Sequence, residues 1–350
     1  MRYTALGRHT GLRVSEYGLG TANFGHGWGG GASRTEAKQV LDRFAEAGGT
    51  LIDTADCYNF GEAEEYLGDF LKADRDHFVL ASKYTCSPSP TPSVFDTGNS
   101  RRAMRLSVEG SLRRLNTDYL DLYWAHFADP LTPMQEIVAA FDDLVRAGKV
   151  LHVGLSNFPA WRVAHGVTIA ELRGRAPIVA AQFEYSLVER TAERDLLPMA
   201  DALGLGAVLW SPLGGGLLSG KYRSGEHGRL TEWKHAVHTE STVQKTAVID
   251  AVLEISAEQE VSPAQVAMAW LRHRAHSVST PFVPVIGPRT ITQLDDYLDA
   301  LTVTLTATQQ ARLDEVSAPS LGVPHEIGTN VMWRVLGSPE QVDRPRPPVA

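Results

Sequence analysis

YLDLYWAHFADPLTPMQEIVAAFDDLVRAGKVLHVGLS, residues 119–156, holds one full turn of the pattern that decides the fold. An apolar run, YLDLYWAH (119–126), precedes PMQEIVAAFDDLVRAGK (133–149), where apolar residues recur at i, i+3, i+4 and i+7. That helical pattern closes at a glycine, a common stop signal. A second apolar run, VLHVGLS (150–156), begins almost at once. Strand, helix, strand in this order reads as a right-handed βαβ unit with parallel strands.

Outward from this unit the alternation continues in both directions. Further strand-like runs are EYGLGT (16–21), TLIDT (50–54), HFVLASK (77–83), IVAAQFE (178–184), GAVLW (206–210) and FVPVIG (282–287). Helical stretches such as TEAKQVLDRFAEAGG (35–49) lie between them. Eight units are what a (β/α)8 barrel needs to close. A doubly wound open sheet is the competing arrangement, but no GxGxxG follows the first strand. Three segments fall outside the units. LGRHTGLRVS (6–15) reads as a short hairpin that plugs the barrel floor. Residues 212–242 form a long loop after the seventh strand, and 318–350 an irregular tail. One barrel domain over 1–317 is expected, with the tail packed partly near the mouth. SPSPTPS (87–93) is a further irregular loop, after the third strand.

Composition narrows the function. The 350 residues are 43% apolar and 21% charged, ordinary for a soluble globular chain. Lys+Arg 33 against Asp+Glu 41 gives a net charge of -8, which argues against nucleic acid or an anionic membrane as principal partner. The amino terminus, MRYTALGRHT, lacks the apolar core of a signal peptide, and no apolar run approaches a membrane span. A cytoplasmic location is the expectation. Two cysteines, Cys57 and Cys86, show no CxxC spacing, so sequence indicates neither a disulfide framework nor a thiolate metal site.

Six polar or aromatic residues end six different runs or lie just beyond them: Asp53, Lys83, His126, Asn157, Gln182 and Trp210. In a barrel such positions converge on one mouth, where active sites are built. Tyr58 follows Asp53 by five residues. A phenol is a weak acid, but a nearby ammonium favours its phenolate and so strengthens it as a proton donor. A carboxylate can hold that ammonium, and a histidine can share the substrate oxygen. The set suits protonation of a carbonyl oxygen while a bound hydride carrier attacks the carbon. No HExxH and no cluster of acidic ligands calls for a metal.

DTADCYNFGEAEEYLG (53–68) is similar to the signature of the aldo-keto reductase superfamily, a D-x-x-x-x-Y followed by G-E-x-E-x-x-LG. LASK, SLRRLNTDYLDLYWAH, VGLSNF, AAQFEYSL, WSPLGGGLLSGKY and IGPRTITQL continue the resemblance in order, over about residues 1–315. The branch resembled is that of aryl-alcohol dehydrogenases and potassium-channel beta subunits. The resemblance implies a (β/α)8 barrel and a catalytic tetrad of Asp53, Tyr58, Lys83 and His126, with Tyr58 as general acid. It implies NADPH, in preference to NADH, extended across the mouth. Thr21 and Ala22 then lie by the nicotinamide ribose, Asp53 also contacts the cofactor, and Ser156, Asn157 and Gln182 lie by the carboxamide. Trp210 stacks on the nicotinamide, and Ser211, Pro212, Leu213, Gly214, Gly215 and Lys221 wrap the pyrophosphate. Gly287, Pro288, Arg289, Gln293, Asp296 and Tyr297 meet the adenosine end. Phe24, Phe60, Tyr84 and Phe127, with Tyr58, the 212–242 loop and the tail, are expected to line a pocket for a small-molecule carbonyl compound, an aryl or aliphatic aldehyde or a keto sugar.

The chain departs from the family pattern at three places. Asn59 and Phe60 stand where many relatives carry small residues, which should reshape the pocket wall and not the chemistry; Gln293 stands where some carry a basic residue, and Tyr297 where asparagine is common. Two rival functions follow from the same residues. A channel-like NADPH sensor would carry asparagine at the His126 position, and a Schiff-base aldolase would use Lys83 as nucleophile.

Overall fold

Each of the eight apolar runs becomes a strand of one closed parallel sheet in the computed structural model, which describes residues 1–225, 228 and 238–343. Parts of the 212–242 loop and the end of the tail therefore lie outside the described residues. A hairpin of β1 (Tyr3–Ala5) and β2 (Arg13–Ser15) comes first. The barrel strands are β3 (Gly18–Gly20), β4 (Leu51–Asp53), β5 (Val79–Tyr84), β6 (Leu120–Ala125), β7 (Val150–Ser156), β8 (Ile178–Glu184), β9 (Gly206–Trp210) and β10 (Phe282–Ile286). Closure comes from β10, which pairs in parallel with both β9 and β3.

Outer helices follow the strands: α1 (Arg34–Glu46), α2 (Glu62–Phe70), α3 (Arg101–Leu115), α4 (Met134–Arg146), α5 (Ala160–Leu172) and α6 (Leu196–Leu203). After β9 come two, α7 (Val243–Gln259) and α8 (Pro263–Ala275), then α9 (Ile291–Asp299) and α10 (Ala307–Val316) after β10. Local chemistry sets their ends. Ser33 and Glu36 form a capping box at the start of α1, satisfying two otherwise orphan donors. The apolar positions of α4 are its core face: Ile137, Val138, Phe141 and Leu144 are all buried.

Strands covered by helices outside and by side chains inside lose the polar–apolar alternation of half-exposed sheets, and all six residues of β6 are buried. Leu51, Ala81, Leu122, Trp124, Val179, Ala180, Val208 and Val283 fill the barrel interior, joined by Leu6 and Val14 from the amino-terminal segment. That hairpin does plug the floor. It starts earlier than the expected 6–15 stretch: β1 precedes it, β2 is its last three residues, and residues 6–12 are the connection. Arg8 fastens the connection by donating to the carbonyls of Asp201 and Ala202, at 2.7 and 3.0 Å.

The tail is not irregular throughout: it carries α11 (His325–Leu336), none of whose residues is buried. Pattern alone could not separate this exposed helix from loop, because its apolar residues have no core to face. Ala318 accepts from Gln244 and Val323 from Arg194, tying the tail to the chain around α7 and α6.

Candidate active site

Asp53 closes β4 and Lys83 is the penultimate residue of β5, the next strand in the barrel. Their neighbouring register brings the two charges together: Lys83 Nζ donates to Asp53 Oδ2 at 2.5 Å. The same ammonium donates to the Thr54 carbonyl at 2.8 Å and to the Tyr58 hydroxyl oxygen at 3.0 Å. All three of its N–H groups are thereby used. Asp53 Oδ1 accepts from Gln182 Nε2 at 3.0 Å, so the carboxylate is held by β5 on one side and β8 on the other. His126, one residue beyond β6, stands edge-on to Tyr58 with ring centroids 5.9 Å apart. The structure thus brings all four expected residues into one cluster.

Backbone strain aims the phenol. After Tyr58 the chain takes three left-handed residues, Asn59 (φ 48°), Phe60 (φ 59°) and Gly61 (φ 96°), the first two of them with side chains. Such positions persist only where the surroundings over-determine them. The buried Asn59 supplies that restraint: its Nδ2 donates to the carbonyls of Ala22 and Phe24, and its Oδ1 accepts from the Trp28 amide. Glu62 adds to it by accepting from the His26 and Gly27 amides. Asn59 is therefore more than a change of pocket wall; it fastens the Tyr58 turn to the loop after β3.

Burial dominates the electrostatics. It pushes the Tyr58 phenol up to about 12, with the Lys83 charge pulling the other way. The ammonium does favour the phenolate, as expected, but it only opposes the larger effect of burial. Tyr58 is protonated at neutral pH, as a proton donor must be. Burial pulls Lys83 down, but Asp53 and then Tyr58 outweigh it, and the ammonium is held above its ordinary range. Burial, then the Lys83 charge, keeps His126 well below the usual histidine value, so its ring is neutral.

Above the tetrad opens a cavity of about 1080 Å³. Asp53, Tyr58, His126, Asn157, Gln182 and Trp210 border it, as do Ala22, Ser211, Pro212, Leu213, Gly215, Lys221, Gly287, Arg289, Gln293, Asp296 and Tyr297. The Trp210 indole is pinned by donation to Asn157 Oδ1 at 3.0 Å, and Asn157 is fixed in turn by donation to the His126 carbonyl. Ser211 (φ 52°) and Gly214 to Gly216 turn the chain through left-handed conformations. A side chain added at Gly215 would meet only open space, so its backbone lies bare toward the cavity. Tyr222 holds this loop by donating to the Gly215 carbonyl, and His238 bonds Glu184 at the end of β8.

Several expectations need correction. Phe24 and Tyr84 are fully buried in the core and do not reach the cavity. Tyr84 follows Lys83 and points to the opposite face, where it stacks on Tyr123 at 5.4 Å. Phe60 and Phe127, 41% and 45% exposed, do border the cavity. Thr21, Ser156, Gly214 and Pro288 are buried behind it: Thr21 bonds the Asp53 carbonyl, and Ser156 bonds Asn157 and Gln182. Asp296 reaches the cavity while accepting from Ser262 and Gln265, which ties α9 to α8. No described tail residue borders the cavity.

Sequence reading missed Trp28, whose ring lies edge-on to Tyr58 at 5.8 Å and walls the cavity. It missed Asn23, which donates to the Gly287 carbonyl and closes β3 against β10. It also missed that Cys57 and Cys86 meet in space beside His126. Nothing in their spacing shows this.

Comparison with known proteins shows the family to which the barrel belongs. A profile of the Aldo/keto reductase family matches residues 16–318, nearly the whole barrel. "Uncharacterized oxidoreductase YrpG" of Bacillus subtilis is 39% identical over 314 residues, covering 87% of this chain and 92% of that protein. "Norsolorinic acid reductase stcV" of Emericella nidulans is 34% identical, covering 96% of this chain and 91% of its own. "Aryl-alcohol dehydrogenase [NADP(+)]" of Phanerodontia chrysosporium is 32% identical, covering 92% and 89% respectively. The chain belongs to the aldo/keto reductase family and is an oxidoreductase. Among the described residues no helix is long and apolar enough to cross a membrane.

Proposed function

We propose that this protein reduces an aldehyde or ketone to the alcohol with NADPH, and that the carbonyl compound carries an aromatic or extended apolar group. The observation that carries the reading is the chain Gln182–Asp53–Lys83–Tyr58, which ends in a protonated phenol beside a neutral imidazole at the cavity. Bound NADPH would supply a hydride to the carbonyl carbon. Tyr58 then gives its proton to the oxygen as negative charge develops there. Lys83, fixed by Asp53, stabilises the phenolate left behind, and His126 helps place the oxygen. Proton uptake from water restores Tyr58.

The cavity's donors fit a dinucleotide. Trp210 offers a held aromatic face, and Asn157 and Gln182 offer amides for a carboxamide. The bare glycine loop and Lys221 suit a pyrophosphate. Arg289 stands just ahead of α9, where Thr290 caps the helix and the amino-terminal dipole favours phosphate. The aryl preference is supported by Trp28, Phe60 and Phe127 on the cavity wall and by the name of one relative, the aryl-alcohol dehydrogenase. The aldolase alternative loses ground because Lys83 is fully buried, charged and already donates three hydrogen bonds. A screen of aryl aldehydes, alkyl aldehydes and keto sugars, followed by reduced-nicotinamide absorbance, tests the reading. Failure of every carbonyl compound with either cofactor would remove it.

Two variants probe its parts. Arg289→Ala should weaken NADPH binding about ten- to a hundredfold, the value of one charge-assisted contact, and leave NADH nearly unchanged. Equal losses in fluorescence titrations with the two cofactors would take Arg289 away from the 2′-phosphate. His126→Asn should keep cofactor affinity while slowing reduction of a good aldehyde by about tenfold or more. A wild-type rate in that variant would return the sensor reading to contention.

A further inference from the structure

Three soft ligand atoms converge at the rim of the cavity. The sulfurs of Cys57 and Cys86 and a ring nitrogen of His126 all lie within 4.8 Å of one another. Cys57 sits in the turn after β4, Cys86 two residues after β5 and His126 one residue after β6, so three adjacent strands deliver them. Cys57 Sγ is 3.9 Å from His126 Nδ1, and both cysteines are free thiols. All three residues border the cavity and can be reached from it.

We propose that Cys57, Cys86 and His126 form a binding site for a thiophilic divalent cation of the zinc class, and that its occupation inhibits the enzyme. Zinc bonds of about 2.3 Å to sulfur and about 2.0–2.1 Å to nitrogen place tetrahedral ligands roughly 3.5–3.8 Å apart. The 3.9 Å between Cys57 and His126 needs only a small contraction, and Cys86, within 4.8 Å of both, closes by up to about 1 Å through side-chain rotation. Two thiolates and an imidazole are the donor set that soft or borderline cations select over magnesium and calcium. Three protein ligands leave the fourth position to water on the cavity side, which makes this an accessible site and not a closed structural one. Each metal–sulfur bond forms as one thiol proton leaves, so two protons are released per cation. Coordination takes the Nδ1 lone pair of His126 and sets a cation beside Tyr58, where the carbonyl oxygen must enter. Inhibition therefore rests on the carbonyl-reductase reading, whereas binding does not.

The test uses the full chain, reduced and kept anaerobic, with Co²⁺ as spectroscopic probe and Zn²⁺ as competitor. One Co²⁺ per chain should bind with thiolate-to-cobalt charge-transfer absorption, and Zn²⁺ should abolish that band. Cys57→Ser and Cys86→Ser should each weaken binding by at least about tenfold, since even loss of a group behind a ligand costs that much. Cys86→Ala serves as a second variant with no oxygen donor. Zn²⁺ should slow carbonyl reduction in the wild type, reversed by a chelator, and each variant is compared with its own metal-free rate. No charge-transfer band in the wild type, or an undiminished band in the Cys57→Ser/Cys86→Ser double variant, overturns the site. Inactivation reversed by a thiol reductant and not by a chelator would point to a Cys57–Cys86 disulfide and also overturn it. A thiolate band in a protein that reduces no carbonyl compound would uphold the site and remove the reductase reading.

Discussion

Tyr58→Phe should lower carbonyl reduction by about 10²–10⁴-fold while leaving NADPH affinity unchanged, since general acid catalysis typically contributes that much. The substitution deletes one oxygen. Its ring contacts with Trp28 and His126 are edge contacts that phenylalanine preserves. Lys83 keeps its bonds to Asp53 and Thr54 and loses only the third. The fold should therefore survive, and thermal denaturation would show it. The phenol's position near 12 adds a test by pH. Wild-type reduction should show no loss from Tyr58 ionisation between about pH 6 and 9, because the acid form prevails throughout. Full-rate reduction by the phenylalanine variant would end the mechanism proposed here.

Lys83→Met is expected to damage both activity and stability. The phenolate loses its cation, and Asp53 is left in the interior with Gln182 as its one remaining side-chain donor among the described residues. Removing one partner of a buried ion pair typically costs about 3–5 kcal/mol, because the other charge stays uncompensated. Lys83→Met/Asp53→Asn removes both charges and should recover much of the stability and none of the activity. A single variant as stable as wild type at neutral pH would show that the pair does not hold the site together.

Much of this was legible in the chain because barrel strands are buried on both faces. Runs such as LDLYWA and IVAAQFE stand out as continuous apolar stretches, and their last residues mark the mouth. Side-chain direction at those ends was harder to read. Lys83 and Tyr84 are consecutive, and strand pleating sends one to the site and the other to the core under α4; the polar partner alone announced its side. Phe24 was misplaced for a related reason. It follows β3, but the turn in which its amide bonds the Thr21 carbonyl folds its ring into the core. Asn59 looked like a change of pocket wall until its three hydrogen bonds to the loop after β3 were visible. The meeting of Cys57, Cys86 and His126 depends on strand order around the barrel, which no local spacing encodes. The helix in the tail was missed because an exposed apolar face has no core to report it.

The amino-terminal hairpin has a consequence for traffic. Leu6 and Val14 complete a packing that already fills the barrel axis, so nothing passes along it to the floor, and the cavity lies on the mouth side. Whatever settles deepest, against the ends of the strands, is roofed by whatever follows. A ligand seated against the ends of the strands therefore leaves by the side from which it entered.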